Sequence, residues 1–147
     1  MKKFFYLAVL LTGLSAAAAT PPEVSEKVLK AFKETFADAS NVVWTEEDNN
    51  YKATFLQSEI SVRAIYDNDG NLLNTIRYYE GKYLPPNVVA SLKKRYAGKQ
   101  IFGVTEISSE IDLIYNITMK DEKNWYIVKS DPFGNLEQTK KFKDAGF

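Results

Sequence analysis

The side chains able to do chemistry in this chain are carboxylates, lysines, tyrosines and hydroxyls. Its 147 residues include no histidine and no cysteine. Ser-His-Asp and Cys-His nucleophilic catalysis are therefore excluded within the chain, as are zinc sites built on Cys or His. No side chain has an unperturbed pKa near neutrality, so acid–base work would fall to a carboxylate, Lys or Tyr shifted by burial. Paired carboxylates cleave glycosides when they stand ~5–10 Å apart across a sugar. Glu46-Glu47-Asp48 and Asp121-Glu122 are acidic clusters, but their members are consecutive turn residues with no oriented partner, and solvated turns are expected. Asp67-Asn68-Asp69-Gly70-Asn71 invites comparison with a calcium loop, which needs Gly at its sixth position and a ligand at its first. Counting back from Gly70 puts Ile65 first, and Ile65 cannot ligate. A hairpin turn is expected there, because Asp-Gly supplies the positive φ that tight hairpins need. The expectation is a protein that is not an enzyme, with no catalytic residue, no metal and no cofactor.

Other polar features have equally plain readings. Asn116-Ile117-Thr118 matches a glycosylation sequon but falls inside an expected strand. Lys93-Lys94-Arg95 reads as the wet face of a helix. Lys140, Lys141 and Lys143 sit on the last expected strand, where charge blunts an exposed sheet edge. Basic and acidic residues balance at 19 each, so nucleic acid, which requires a concentrated basic surface, is not an expected partner.

The N-terminus has the three parts of a secretory signal peptide. Lys2 and Lys3 precede an apolar run, Phe4 to Leu14, and Ala17 and Ala19 fit a small-residue cleavage site. The run is shorter than the ~20 apolar residues needed to span a bilayer, and no Cys follows it for lipid attachment. Residues 1–19 are read as the leader, with cleavage after Ala19, and the product as secreted or periplasmic. The mature chain has no membrane span in this reading and is expected to be a monomer.

The elements that must position any site come from a repeated pattern. Pro21-Pro22-Glu23-Val24 returns as Pro85-Pro86-Asn87-Val88, and Asp67-Asn68-Asp69-Gly70-Asn71-Leu72 returns at the same spacing as Asp131-Pro132-Phe133-Gly134-Asn135-Leu136. Repeats at this scale mean a duplicated supersecondary unit. Val24, Val28, Phe32 and Phe36 recur at helical spacing, and a Thr20-x-x-Glu23 capping box is expected to open that helix. Val42-Val43-Trp44, Tyr51 to Leu56, Ile60 to Tyr66 and Leu72 to Tyr79 read as strands. Val88, Val89, Leu92 and Tyr96 give the second helix stripe. Ile101 to Ile107, with Gly103 marking a bulge, Leu113 to Met119, Trp125 to Ser130 and Asn135 to Lys143 give four more strands. The expected fold is α+β: a tandem duplication of a unit made of one helix and a four-stranded antiparallel sheet, with the helices packed on one face of the sheet. Residues 20–82 and 83–147 are the two units. Whether their sheets join is left open by the pattern.

A Pro-rich helix start and an aromatic helix stripe, followed by Val42-Val43-Trp44, Tyr51-Lys52-Ala53-Thr54-Phe55 and a turn ending in Gly70, resemble the PepSY-like secreted proteins. Their fold is similar to the beta-lactamase-inhibitory protein. The resemblance spans nearly the whole mature chain. The family's Pro after the last aromatic of the first helix is missing here, where Phe36-Ala37 stands. The resemblance implies paired helix-plus-four-strand units whose free sheet face grips a protein, and it carries over no catalytic residue.

Some residues break the core pattern: Arg63, Arg77, Tyr79, Ile114, Trp125 and Ile127. Tyr, Trp and Arg are the usual anchors of interfaces. These six are the expected partner-binding set on one free sheet face, for a protein or peptide of the cell envelope. The competing reading is a small envelope glycan or lipid fragment, which needs an apolar pocket with a few polar groups.

Overall fold

The computed structural model describes residues 22–145, so the expected leader and its cleavage site lie outside the described residues. Helix α1 spans Glu26–Thr35, and strands β1 to β4 span Ser40–Glu47, Asn50–Gln57, Ile60–Tyr66 and Leu72–Tyr79. A 3-10 turn, Gly81–Tyr83, leads into α2, Pro86–Arg95. Strands β5 to β8 span Gln100–Ser109, Leu113–Lys120, Asn124–Ser130 and Leu136–Lys143.

The α+β tandem expectation is corrected here. The strands form one eight-stranded antiparallel sheet in sequential order, so the described residues are mostly β, with two α-helices of 10 residues each among them. It is not two helix-plus-four-strand units side by side. The decisive contact is β4 on β5, paired from Asn74↔Ser109 to Tyr79↔Val104. The physical reason is edge satisfaction. Two separate sheets would leave β4 and β5 with unpaired backbone groups, and the helical return through α2 brings β5 back antiparallel beside β4.

Both helices lie on one face. The cross-strand row Phe55–Val62–Arg77–Glu106–Tyr115–Ser130 shares that face. Val28 and Phe32 of α1 pack with Ala53, Phe55, Val62, Ala64 and Tyr66. Val88, Leu92 and Tyr96 pack with Val104, Tyr115, Ile117, Met119 and Val128. Burying such side chains contributes ~1.5–3 kcal/mol each. The first cluster is aromatic. Phe32 meets Phe55 edge-on at 5.1 Å and Trp44 at 5.2 Å, in the T-shaped geometry that the ring quadrupole favours.

Local starts and stops differ from expectation in instructive ways. Helix α1 begins later than the Thr20 capping box predicts. Ser25 is its N-cap, and its hydroxyl accepts the Val28 N–H at 3.4 Å, satisfying one of the orphan amides of a helix start. Strand β1 is longer than Val42–Trp44, because the turn to β2 is only Asp48-Asn49, both at positive φ. The expected bulge at Gly103 is present: pairing slips between Ile101 and Gly103.

The two Asp-x-x-Gly-Asn turns share one hydrogen-bond plan. The Asp67 carboxylate accepts from the Asp69 and Asn71 amides and the Asn71 side chain, all at 2.8–2.9 Å. Asp131 does the same with Phe133 and Asn135. These donors hold both carboxyls below their ordinary range, the Asn side-chain bond being the first cause. Each turn docks a helix. Gly70, at φ +89°, lies where a Cβ would come within 3.0 Å of the Lys27 carbonyl, and Gly134, at φ +84°, lies where one would meet Ser91 Oγ at 2.7 Å.

Candidate functional site: the open face of the sheet

With both helices on one face, the other face has no covering element among the described residues. Strand alternation and the register decide what it shows. Arg63 of β3 sits across from Ile76 of β4, then Ile107 of β5 and Ile114 of β6. This row puts three isoleucines side by side in the middle of the sheet. Nearby, Arg63 lies over the Tyr78 ring, with Cζ 5.3 Å from its centroid. Toward the far end of the face, Lys120 of β6 is opposite Trp125 of β7, which is opposite Phe142 of β8. Phe102 joins them, meeting Trp125 edge-on at 4.9 Å. Lys120 Nζ lies 5.4 Å from the Phe102 ring centroid and 5.5 Å from that of Trp125. Phe102 is 60% exposed and Phe142 49%.

The structure therefore brings Arg63, Ile114, Trp125 and Ile127 onto one open face and leaves Arg77 and Tyr79 off it. The register sets Arg77 across from buried Val62, and Tyr79 across from buried Val104. Both lie on the helix-covered face. The reason is visible at the centre of the sheet: α1 covers one half and α2 the other, and a polar seam survives between the two cores. Arg77 Nη1 donates to Glu106 at 3.3 Å, and the Tyr79 hydroxyl donates to the other Glu106 oxygen at 2.6 Å. Tyr79 packs against both core clusters. Burial, then the Glu106 hydrogen bond and charge, push its phenol far above the ordinary tyrosine value. An arginine in a strand pattern reads as wet, and here it is instead half of a part-buried ion pair, with Arg77 37% exposed and Glu106 14%.

Sequence reasoning missed Phe102, Tyr78, Ile76, Ile107 and Lys120. The signal for Phe102 was available: it has the opposite parity to Ile101, and the bulge at Gly103 keeps it from sharing the covered parity of Val104. In β4, Asn74, Ile76 and Tyr78 face outward, and Leu73 misleads because pairing slips next to it, between Ile65 and Tyr66.

The other polar features are accounted for by structure. Asp121 accepts from Lys99 at 3.0 Å, the Tyr126 hydroxyl at 2.7 Å, and the amides of Lys123 and Asn124. The Tyr126 bond is the first cause holding its carboxyl well below the usual range. Asn116 of the sequon is half-buried in mid-strand, paired with Thr105 and Lys129. Arg95 of the basic helix run donates to the Leu136 carbonyl at 2.5 Å. Lys52 bonds Glu47 at 2.6 Å and holds its carboxyl below the ordinary value. Next to the open face, a cleft of about 730 Å³ lies at the end of α2, lined by Leu92, Tyr96, Ile101, Met119 and Phe102 together with Lys93 and Lys99, so Phe102 borders both surfaces.

No protein-family model matches the sequence, and no curated protein matches it. Solved structures do resemble it. A BLIP-like protein from Bacteroides fragilis superposes with a TM-score of 0.67 at 19% identity, over 88% of this chain and 92% of that one. A DUF2874 family protein from Bacteroides ovatus gives 0.64 at 22% identity, over 85% and 89%. A candidate periplasmic protein from Bacteroides eggerthii gives 0.63 at 17% identity, over 83% and 90%. At these identities the likeness is one of fold: the chain has a BLIP-like fold. Among the described residues no helix is long and apolar enough to cross a membrane.

Proposed function

We propose that the chain is a secreted or periplasmic, non-enzymatic binding module of the PepSY-like type, which recognises a protein or peptide of the cell envelope as a monomer through its open sheet face. The observation that carries the reading is the combination on that face: no helix of the described residues covers it, and it displays an aliphatic row beside Tyr78 and, farther along, the cluster of Phe102, Trp125 and Phe142. Interface anchors are drawn from these residue types, and solvent-exposed aromatic clusters of this kind mark interaction sites. The leader-like N-terminus and the periplasmic description of a structural neighbour support the compartment. Recognition rests on shape and aromatic burial, with no metal or cofactor. The test is affinity capture from native envelope extract, analysed by mass spectrometry, using protein expressed with its own leader. A partner is expected that Trp125→Ala/Phe142→Ala loses and that Arg77→Ala, on the helix side of the sheet, retains. Equal capture by all three proteins overturns the assignment.

The cleft at the end of α2 favours a second reading, a small amphipathic envelope fragment held over Leu92, Tyr96 and Met119. Thermal shift with extract freed of macromolecules separates the two. A shift that persists there and is lost in Tyr96→Ala supports the cleft, and its absence supports the sheet face.

A further inference from the structure

We infer that the partner of the open face is acidic: a protein segment carrying carboxylates on either side of an aliphatic or aromatic side chain. This rests on the sheet-face reading above and adds the chemistry of what is bound there.

The charge of the sheet is divided by face. The register places five cations on the open side: Lys52, Arg63, Lys120, Lys129 and Lys140. Only two strand carboxylates share it, Glu47 and Glu137. Glu47 is held by Lys52 at 2.6 Å, and Glu137 stands across from Lys129. Arg63, Lys120 and Lys140 make no ion-pair contact with any described residue, although the Arg63 charge also acts on Glu47. The whole chain balances at 19 basic and 19 acidic residues, so this surplus reflects segregation to one face rather than a basic protein.

The surplus also has a layout. Arg63 ends the row of Ile76, Ile107 and Ile114. Lys120 lies farther along β6, beside Phe102 and Trp125. With strands ~4.8 Å apart and a rise of ~3.3 Å per residue, the two cations stand about 25 Å apart across the face. An extended segment of about eight residues covers that span. Its apolar side chains would meet Ile76 and Ile107 near Arg63 and Phe102 and Trp125 near Lys120, and its carboxylates would reach the cations at either end. Both cations already lie over aromatic rings. Docking would therefore partly desolvate them, which strengthens their pull on a carboxylate and penalises a basic partner. A polyanion such as nucleic acid prefers a continuous cationic track, and here Arg63 is set apart from the lysines of β6 to β8 by Ile76, Ile107 and Ile114.

The experiment is a display selection of random dodecapeptides on the protein expressed with its own leader, at about 0.15 M salt. Peptides combining Asp or Glu with Leu, Phe, Tyr or Trp should be enriched. Their affinity should fall about ten-fold or more in Arg63→Glu/Lys120→Glu, and should weaken as salt rises. Arg63→Gln/Lys120→Gln gives the same direction without charge reversal if the first variant folds poorly. Enrichment of neutral or basic peptides that Ile114→Asp abolishes would overturn the acidic partner and leave the sheet-face reading standing. Selected peptides indifferent to the charge variants and to Ile114→Asp alike would overturn both. An empty selection, or tighter binding of a short single-stranded DNA, would overturn the inference as well.

Discussion

Replacing Tyr79 by Phe removes one oxygen from the middle of the molecule and tests whether the seam joins the two halves of the sheet. The Tyr79 hydroxyl donates to Glu106 at 2.6 Å, and the Glu106 side chain is 14% exposed. Without that donor, Glu106 keeps only the longer Arg77 contact at 3.3 Å. A hydrogen bond to a charged group contributes ~1.5–3 kcal/mol, and the half-buried site lets water replace part of it, so the loss should be about 1–2 kcal/mol. For a domain of this size that lowers Tm by roughly 3–9 °C. The pH dependence carries a second signature. Because the phenol is pushed up in the folded state, its contribution is fully present below the unfolded tyrosine pKa of ~10 and is lost as pH rises beyond it. Tyr66 and Tyr115 are also pushed up, chiefly by burial, so Tyr79→Phe should lose less stability than the native protein between about pH 9 and 11 without becoming flat. Differential scanning calorimetry of both proteins across that range is the assay. An unchanged Tm at neutral pH, together with an unchanged alkaline slope, would refute the role of the seam.

Other perturbations follow from the same geometry. Asp121→Asn should lower stability at neutral pH and flatten the acid limb of a denaturation profile. The depressed carboxyl contributes above the unfolded Asp pKa of ~3.9 and loses that contribution as pH falls below it. Gly134→Ala should cost about 1–3 kcal/mol by urea titration, because the new Cβ would stand 2.7 Å from Ser91 Oγ at a φ of +84°. Ser58→Asn/Glu59→Gly should raise Tm. Both residues sit at positive φ in the two-residue turn between β2 and β3, and Asn-Gly is the pair that turn prefers, for a gain of about 0.5–1 kcal/mol.

Much of the layout was legible because it rests on local rules. The strands from Tyr51, Ile60, Leu113 and Trp125 alternate as half-buried strands do, and the Asp-x-x-Gly-Asn turns announce themselves. The joining of the halves was not legible, because β4–β5 pairing depends on where α2 delivers the chain and not on any residue within either strand. The same limit split the candidate site. Arg63, Ile114, Trp125 and Ile127 kept the parity expected of them. Arg77 and Tyr79 were set on the other face by a register slip beside Tyr66 that periodicity alone does not reveal. Glu106, the partner that both of them bond in the seam, lies in another strand and gave no local sign. Ser25 as helix cap was hidden for a simpler reason: two prolines and a better-looking Thr-x-x-Glu preceded it.

The central claim is that the partner meets the open face of the sheet. Site-specific photo-crosslinking in the intact envelope tests it most directly, with the reactive residue placed either at Tyr78, on the open face, or at Ala90, on the exposed side of α2. The account predicts a discrete adduct from position 78 and none from position 90. An adduct from position 90 alone, or none from position 78, would contradict it.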